Sequence, residues 1–280
     1  METYKLKNGV EIPRIGFGTW KLDTRELAYP SVKEAIKAGY THIDTAAVYG
    51  NETFVGEAIR DANVDRESLF ITTKLWNDVR GYDETIEAFE TSLEKLGVDY
   101  VDLYLIHWPN PVKYRDNWQA MNAASWKAME FLYKEGKVRA IGVSNFLPHH
   151  LVELEKTMEI APMVNQIELH PGQLHKETVA YCREHEILIE AWSPLASGRI
   201  MEKPEINELA AKYNKNVGQL LLRWHLQHDF LPLPRSTKPE RIASNIDVFD
   251  FDITSEDMAY IDALPYEDTN SDTDPDTSNF

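Results

Sequence analysis

The sequence contains a single cysteine, Cys182, among 280 residues, so no disulfide bond can form within the chain. It contains no run of about 18 apolar residues, the length that a membrane-spanning helix needs. The first residues lack the apolar stretch that is typical of a secretory signal peptide. These absences predict a cytoplasmic protein without a membrane partner, in which Cys182 has a structural role.

Positive charge is also scarce. The chain has 29 Lys and Arg residues against 46 Asp and Glu residues, a formal net charge of -17. A nucleic-acid partner requires a basic surface, so we expect none. Residues 266–280 contain no Lys or Arg and are rich in Ser, Thr and Asn. This composition predicts a disordered acidic tail after one folded domain at residues 1–265. The acids of the tail are Glu267, Asp268, Asp272, Asp274 and Asp276.

Three common patterns of catalytic or binding sites are missing. The Gly-rich dinucleotide fingerprint fails at residues 16–21, because Lys21 stands where the third glycine is needed. The G-x-S-x-G pattern of serine hydrolases fails at Phe146. The nine histidines show no His-x-x-x-His spacing with a third ligand, so we predict no metal site. The pair His149-His150 is interpreted instead as the start of a solvated helix.

What the sequence does contain is an alternation of short apolar runs and longer helix-like segments. Alternation of this kind indicates parallel strands, each covered by its crossover helix. Eight such units without a break in composition predict an α/β fold, a closed (β/α)8 TIM barrel, with an open doubly wound sheet as the alternative. A β-hairpin with an Asn8-Gly9 turn is predicted before the barrel, at residues 4–12. The strand-like runs are 15–18, 42–46, 69–73, 101–106, 138–143, 164–169, 187–191 and 230–233. The helix-like segments are 26–38, 53–61, 84–96, 117–135, 149–158, 176–184 and, as a double helix, 205–227.

Polar residues collect where these strands end. Strand interiors of a barrel are buried on both faces, so polar groups there are costly, whereas the carboxyl ends form the catalytic mouth. Seven consecutive strand ends carry polar side chains, which is more than helix capping alone explains. They include Asp44-Thr45, Thr73-Lys74, His107-Trp108, Ser144-Asn145, Gln166, Trp192-Ser193 and Arg235-Ser236.

Four residues of this set suggest a reaction. Tyr49 is a poor acid at neutral pH unless a cation such as Lys74 lowers its pKa. Asp44 would keep that lysine charged, and a neutral His107 could donate a hydrogen bond to a carbonyl oxygen. The combination suits a carbonyl that gains a hydride, with Tyr49 as the general acid. No side chain can supply hydride, so a nicotinamide cofactor is required.

With these residues in view, the chain resembles the aldo-keto reductase superfamily, in the bacterial branch that includes diketogluconate and methylglyoxal reductases. The resemblance covers about residues 4–264. Residues 39–52 (GYTHIDTAAVYGNE) are similar to the segment that holds the catalytic Asp and Tyr, and residues 96–109 (LGVDYVDLYLIHWP) to the one that delivers the catalytic His. Residues 136–146 (GKVRAIGVSNF) and 165–171 (NQIELHP) are similar to the strands beside the cofactor.

The resemblance implies that Asp44, Tyr49, Lys74 and His107 form a catalytic tetrad and that NADPH is the cofactor. It implies that Ser144, Asn145 and Gln166 hold the nicotinamide carboxamide. Trp192 would stack on the nicotinamide ring, where many members have Tyr. The loop with Ser193, Leu195 and Ser197 would cover the pyrophosphate. Further residues expected beside the cofactor are Gly18, Thr19, Trp20 and Asp44.

Residues 235–245 resemble the adenosine-phosphate motif of the family, with Arg235 in place of its usual Lys. Arg235 and Arg241 can pair with the two negative charges of a 2′-phosphate, which favours NADPH over NADH. Ser244 stands where the family often has Glu. The residues expected in this part of the cofactor site are Arg235, Ser236, Thr237, Arg241 and Asn245.

The expected substrate pocket has aromatic walls and few charges, which suits small aldehydes and ketones. A mobile tail after Leu264 would leave this pocket open and its selectivity broad. We expect a monomer. Two rival functions remain: a non-enzymatic protein of the same fold, and an alcohol dehydrogenase that uses NAD. The residues expected to line the pocket are Trp20, Tyr49, Trp76, His107 and Trp108.

Overall fold

The computed structural model describes residues 2–265 and 274–280. It begins with an antiparallel hairpin of β1 (Thr3–Lys5) and β2 (Glu11–Pro13), in which Tyr4 lies opposite Ile12. The predicted hairpin is therefore confirmed, but the two-residue Asn8-Gly9 turn is wrong. The N–H of Gly9 donates to the carbonyl of Leu6 at 2.8 Å, and Gly9 itself has a φ of 88°. The turn is therefore centred one residue earlier, and Gly9 supplies the positive φ that closes a longer loop.

Eight parallel strands follow and close into a barrel. Each strand pairs with the next along the chain, from β3 to β10. The ring closes where Gly16 N donates to Pro232 O at 3.1 Å and Gly18 N to Pro234 O at 3.0 Å. The predicted (β/α)8 barrel is confirmed, and the open sheet is not. The barrel strands are β3 (Phe17–Gly18), β4 (His42–Asp44), β5 (Phe70–Leu75), β6 (Val101–Ile106), β7 (Val138–Ser144), β8 (Val164–Glu168), β9 (Leu188–Trp192) and β10 (Leu231–Pro232).

The central strands of the barrel are buried on both faces. Every residue of β5 and of β6 is buried, and each aliphatic side chain removed from water stabilises the fold by about 1.5–3 kcal/mol. Gly142 on β7 permits a close approach of the neighbouring strands. A Cβ at that position would lie 2.6 Å from the carbonyl oxygen of Val164 and 2.8 Å from the Leu105 side chain.

The helices cover the outside of the barrel. The double helix predicted at residues 205–227 is confirmed, and Asn216 caps the second helix by accepting a hydrogen bond from Gln219 N. Two short helices, α9 (Pro239–Ile246) and α10 (Ser255–Asp262), were not predicted. The helices are α1 (Arg25–Ala38), α2 (Glu52–Asp61), α3 (Tyr82–Leu96), α4 (Trp118–Lys134), α5 (Pro148–Glu155), α6 (Lys176–Glu184), α7 (Pro204–Lys212), α8 (Val217–Gln227), α9 (Pro239–Ile246) and α10 (Ser255–Asp262). None of these helices is long and apolar enough to cross a membrane.

The last described segment of the tail contacts the barrel. Residues 266–273 lie outside the described part, and residues 274–280 lie across the mouth of the barrel. Asn77 Nδ2 donates to the backbone oxygen of Phe280 at 3.3 Å, and Asn110 Nδ2 donates to that of Asp276 at 3.1 Å. Arg115 donates to the carbonyl of Ser278, which is itself buried. Amide and guanidinium side chains of the barrel thus bind three backbone carbonyls of this segment, and disorder of residues 266–280 stays a prediction.

Candidate active site

The four residues predicted to carry the chemistry meet at the carboxyl ends of neighbouring strands. Asp44 ends β4, Lys74 is the penultimate residue of β5, and His107 directly follows β6. Tyr49 ends a one-turn 3-10 helix, Ala47–Tyr49, that the chain enters soon after β4. Gly50, with a φ of 68°, then turns the chain away from the mouth.

Lys74 is the centre of this group and is fully buried. Its Nζ donates to Asp44 Oδ1 at 2.7 Å, to Asp44 Oδ2 at 2.9 Å and to Thr45 O at 2.8 Å, and it lies 3.4 Å from the Tyr49 hydroxyl. Burial alone would lower the pKa of Lys74, but the Asp44 carboxylate and the Tyr49 oxygen outweigh burial and raise it. The lysine is therefore a fixed cation beside the phenol.

The pKa of Tyr49 moves in the direction opposite to the expected one. Burial raises it above its ordinary value of 10.0, and the nearby Lys74 cation lowers it by less than burial raises it. The sign of the lysine effect was predicted correctly, but the desolvation of a phenol inside the barrel mouth cannot be read from a sequence. At neutral pH the phenol consequently keeps its proton and can donate it.

His107 lies on the other side of Tyr49, with 5.8 Å between ring centroids and an angle of 74° between the rings. Burial, followed by the charges of Lys74 and Arg80, holds the pKa of His107 well below 6.5. The imidazole is therefore neutral at physiological pH and has one N–H to offer. Within the described ranges its Nδ1 has no hydrogen-bond partner.

The three residues predicted to hold a carboxamide lie side by side next to Asp44. Asn145 Nδ2 donates to His107 O at 3.0 Å and to Ser144 Oγ at 3.1 Å. Ser144 Oγ donates to Gln166 O at 2.7 Å, and Gln166 Nε2 donates to Asp44 Oδ2 at 2.9 Å. Trp192 is half-buried at the end of β9, and its Nε1 donates to Asn145 Oδ1 at 2.9 Å. These contacts fix the amides and the indole in place before any ligand binds.

The loop after β9 runs toward the segment that resembles an adenosine-phosphate site. Ser193, Ala196 and Ser197 have φ values of 54°, 47° and 53°, which non-glycine residues seldom adopt and which cost free energy. A Cβ on Gly218 would lie 3.3 Å from Asn245 Oδ1 and 3.9 Å from Leu195 Cδ1, so this loop meets α8 and α9. The structure thus joins the two predicted cofactor segments in one surface.

Cations in the second segment are free to bind an anion. Arg235 and Arg241 are exposed, and neither forms an ion pair with any residue in the described part of the chain. Ser236 is buried, and its Oγ accepts the N–H of Lys238 at 3.0 Å, which sets the turn into α9. Thr237 is exposed beside it.

Gly18, Thr19 and Trp20, at the end of the first barrel strand and just after it, differ in how deeply they are buried. Thr19 is fully buried, and both its N–H and its hydroxyl donate to Asp44 O, at 3.0 and 2.9 Å. The role of Thr19 visible here is therefore to position Asp44. Gly18 packs against the backbone of Leu233. Trp20 is 48% exposed at the rim, where the ammonium of Lys21 lies 4.4 Å from the ring centroid.

Aromatic rings line the mouth as expected, with one addition. Trp76 lies 5.1 Å from His107 between ring centroids. Phe280 stacks on Trp76 at 5.8 Å and meets Trp108 edge-on at 4.9 Å. The expectation of an open pocket is therefore wrong in this respect, because the tail places a third ring over the two tryptophans. A cavity of about 240 Å³ next to Trp192 also has tail residues Asp274 and Pro275 in its wall.

Three residues of the site, Arg80, Glu190 and Phe280, were not predicted from the sequence. Arg80 is buried and donates to Trp76 O and to Trp108 O, both at 2.7 Å, and burial lowers its pKa to about 10, so it stays charged. Glu190 is fully buried on β9 and contacts Gln166. A charged residue inside an apolar strand run was a signal for Glu190. Arg80 and Phe280 lie in loop or tail segments without such a signal.

One group outside the tetrad has the composition of a metal site. His149, His150 and Asp276 offer ligand atoms within 4.8 Å of one another. Both Nε2 atoms lie 2.9 Å from Asp276 Oδ1. However, Nδ1 of His150 accepts the N–H of Leu147 at 3.1 Å, so the neutral ring carries its proton on Nε2 and offers no lone pair there. These contacts attach the tail to α5. His150 is buried, whereas the pair was predicted to begin a solvated helix.

Comparison with known proteins decides the family. The model of the Aldo/keto reductase family matches residues 14–265. The chain belongs to this family. It is 52% identical to a glyoxal reductase of Bacillus subtilis, over 94% of this chain and 92% of that protein. It is 42% identical to the methylglyoxal reductase DkgA of Escherichia coli, over 93% and 92%. A crystal structure of a Bombyx mori aldo-keto reductase in complex with NADP superposes with a TM-score of 0.86 at 39% identity, covering 93% of this chain and 92% of the other. The chain is accordingly an oxidoreductase with the barrel fold of this family.

Proposed function

We propose that this aldo/keto reductase reduces small aldehydes and ketones to alcohols with NADPH, and that Tyr49 is the general acid. The observation that carries the proposal is the contact of the Lys74 ammonium with Asp44 on one side and with the Tyr49 hydroxyl, 3.4 Å away, on the other. A cation held at this distance stabilises the phenolate that remains after proton transfer. The relatives named for glyoxal and methylglyoxal reduction support 2-oxoaldehydes as substrates.

The residues of the mouth have different roles in the proposed reaction. The neutral His107 donates a hydrogen bond to the carbonyl oxygen and orients it toward Tyr49. Tyr49 gives its proton to this oxygen as negative charge develops there. Lys74, which Asp44 holds in place, offsets the charge left on the phenolate. Trp76, Trp108 and Phe280 exclude water from the carbonyl, which strengthens each of these interactions.

Ser144, Asn145, Gln166 and Trp192 fit a nicotinamide, since fixed polar atoms lie beside an indole face on which an aromatic ring can stack. When bound there, the reduced cofactor supplies the hydride. Arg235 and Arg241 would bind its 2′-phosphate, because both are exposed cations without an ion pair in the described ranges. The loop at residues 193–198 would cover the pyrophosphate between these two ends. The N-terminus of α9 adds a favourable dipole, although Glu240 in its first turn opposes an anion.

The experiment follows NADPH absorbance with glyoxal, methylglyoxal and a substituted benzaldehyde, and repeats each assay with NADH. We expect wild-type activity with NADPH, and a loss of at least about a hundredfold in kcat for Tyr49→Phe. Failure of every wild-type mixture would refute the enzyme proposal, and faster use of NADH would refute the cofactor preference. Full activity of Tyr49→Phe would exclude Tyr49 as the acid. Tyr100→Phe, a change of the same kind before β6 at the other end of the barrel, is the matched control.

A further inference from the structure

Glu190 is a fully buried carboxyl group within the barrel. It lies on β9 directly opposite Gln166 of β8 in the register of the two strands. Its Oε2 accepts a hydrogen bond from Gln166 Nε2 at 2.7 Å. The same Nε2 donates to Asp44 Oδ2 at 2.9 Å. Gln166 is thus held between two acidic side chains, one of them a member of the tetrad.

These two contacts fix which end of the Gln166 amide is available to a ligand. A primary amide has two N–H donors and one carbonyl oxygen. Both N–H groups are occupied by Asp44 and Glu190. The opposite orientation would place the amide oxygen against the oxygens of the Asp44 carboxylate, which is paired with the Lys74 ammonium, so two acceptors would face each other. In the described part of the chain no group donates to Oε1 of Gln166, so that oxygen is left for the cofactor.

We propose that Glu190 is a positioning residue that, together with Asp44, holds Gln166 so that it presents only its carbonyl oxygen to the nicotinamide carboxamide. The proposal rests on the proposed function, since it presupposes a nicotinamide beside Gln166. Asn145 also has both N–H groups taken, by His107 O and Ser144 Oγ, but its Oδ1 already accepts from Trp192 Nε1. The group recognised at this subsite is therefore the NH2 of the carboxamide, which donates to Gln166 Oε1.

A purely structural role does not account for a carboxyl group at this position. Its flanking residues on β9, Ile189 and Ala191, are buried apolar side chains, and an apolar residue would fill the position at a lower desolvation cost. Oε1 of Glu190 has no partner within the described ranges, and His42 Nε2 is 3.9 Å away. His42 is no ion-pair partner, because burial lowers its pKa to about 3. The hydrogen bond that Glu190 accepts from Gln166 is therefore the contact that explains a carboxyl group at this position.

The acceptor does not depend on the charge of Glu190. Burial and the neighbouring Asp44 raise its pKa to about 8, so the group is largely protonated at neutral pH. A protonated carboxyl keeps a carbonyl oxygen that accepts from Gln166, and a glutamine has the same shape and the same acceptor. Glu190→Gln should therefore preserve the orientation of Gln166, whereas Glu190→Met removes the acceptor at a similar volume.

The test measures dissociation constants by titration calorimetry, without turnover, for three dinucleotides. They are NADP+, its thionicotinamide analogue, which keeps the NH2, and its 3-acetylpyridine analogue, which has a methyl group instead. The wild type should bind the acetylpyridine analogue about tenfold more weakly than NADP+, as expected for one lost hydrogen bond, and the thionicotinamide analogue about equally. The ratio of the Kd of the acetylpyridine analogue to the Kd of NADP+ is the quantity compared between variants. Glu190→Gln should keep this ratio within about twofold of the wild-type value, and Glu190→Met should reduce it to about two or three.

The ratio separates positioning from stability, because a general weakening of the fold lowers the affinity for all three dinucleotides together. Glu130→Gln is the matched control: it changes a buried carboxyl that accepts the N–H groups of Glu159 and Ile160, on α4 outside the barrel. Its ratio should equal that of the wild type. An unchanged ratio in Glu190→Met overturns the proposal. If Glu190→Met does not fold, two other outcomes still overturn the proposal. One is that the wild type binds NADP+ and the acetylpyridine analogue equally, and the other is that the ratio falls toward one in Glu190→Gln. Absence of any NADP+ binding by the wild type would instead refute the proposed function.

Discussion

The ring of Phe280 stacks on the indole of Trp76 with 5.8 Å between centroids and 27° between planes. Trp76 also contacts His107, so this one relationship links the tail of the chain to the tetrad. Phe280 is 42% exposed, which means that its other face is open to solvent or to a ligand. The tail therefore forms part of the pocket wall.

Phe280→Ala should shift selectivity toward larger carbonyl compounds. Removal of the ring widens the mouth and deprives small aldehydes of an apolar contact. We expect the ratio of kcat/KM for a substituted benzaldehyde to that for methylglyoxal to rise about tenfold. Steady-state kinetics with both substrates measures it. Phe131→Ala is the control, since Phe131 is similarly exposed on α4 and contacts Tyr82. An unchanged ratio would show that Phe280 does not limit the pocket.

The barrel and the position of the tetrad could be predicted because both follow from local patterns. Parallel strands of a barrel place their carboxyl ends at one mouth, so Asp44, Lys74 and His107 had to converge once the strands were located. The apolar runs located them to within a few residues.

The contacts of Phe280, Arg80 and Glu190 could not be predicted in the same way. Phe280 contacts Trp76 across about 200 residues of sequence, and no periodicity encodes such a contact. The pKa of Tyr49 depends on the balance between burial and Lys74, and burial is a property of the folded mouth. The sequence shows Glu190 as a charged residue in an apolar run. Its partner, Gln166, is identified only once the register of the two strands is known.

The pH dependence of reduction should reflect the raised pKa of Tyr49. Reduction needs the protonated phenol, so activity is lost as the pH rises through this pKa, which lies above 10.0. His107 stays neutral above its strongly lowered pKa and adds no change near pH 6.5. We expect kcat/KM for methylglyoxal to be flat from about pH 6 to 9 and to fall only beyond about pH 10. Glu190→Gln, which removes a neighbouring carboxyl with a pKa of about 8, should give the same profile. A half-maximal rate below pH 8 in both proteins would contradict the assignment.

The Asp44–Lys74 pair should show strong coupling in its effect on stability. Lys74→Met leaves the Asp44 carboxylate buried beside Gln166 without its cation, which should lower the free energy of unfolding by about 3–5 kcal/mol. Asp44→Leu leaves the lysine without its carboxylate and should cost a similar amount. The double variant removes both charges, so its loss should be clearly smaller than the sum of the two. Urea unfolding of the four proteins measures the coupling, and additive losses would mean that the pair contributes nothing as a pair.

Arg235 and Arg241 should determine the preference for the phosphorylated cofactor. Either change to Ala removes a cation from the 2′-phosphate, and we expect the Kd of NADPH to rise about tenfold while that of NADH changes little. The difference should shrink at high salt, because both side chains are exposed. Lys137→Ala is the control, since it removes the same charge before β7, at the opposite end of the barrel. Equal losses for NADPH and NADH would show that these residues do not bind the 2′-phosphate.

Glu190 should make stability depend on pH in an unusual direction. Its pKa is raised from 4.5 to about 8, first by burial and then by Asp44. Between these values the folded chain keeps a proton that the unfolded chain has released. Stability present below about pH 4.5 is therefore lost as the pH rises through this window, by roughly 1.4 kcal/mol per unit at most. Glutamine does not titrate, so the free energy of unfolding of Glu190→Gln relative to the wild type should increase from about pH 5 to 8. Urea unfolding of both proteins at four pH values tests this. A constant difference between Glu190→Gln and the wild type would mean that Glu190 is ionised in the folded protein at neutral pH.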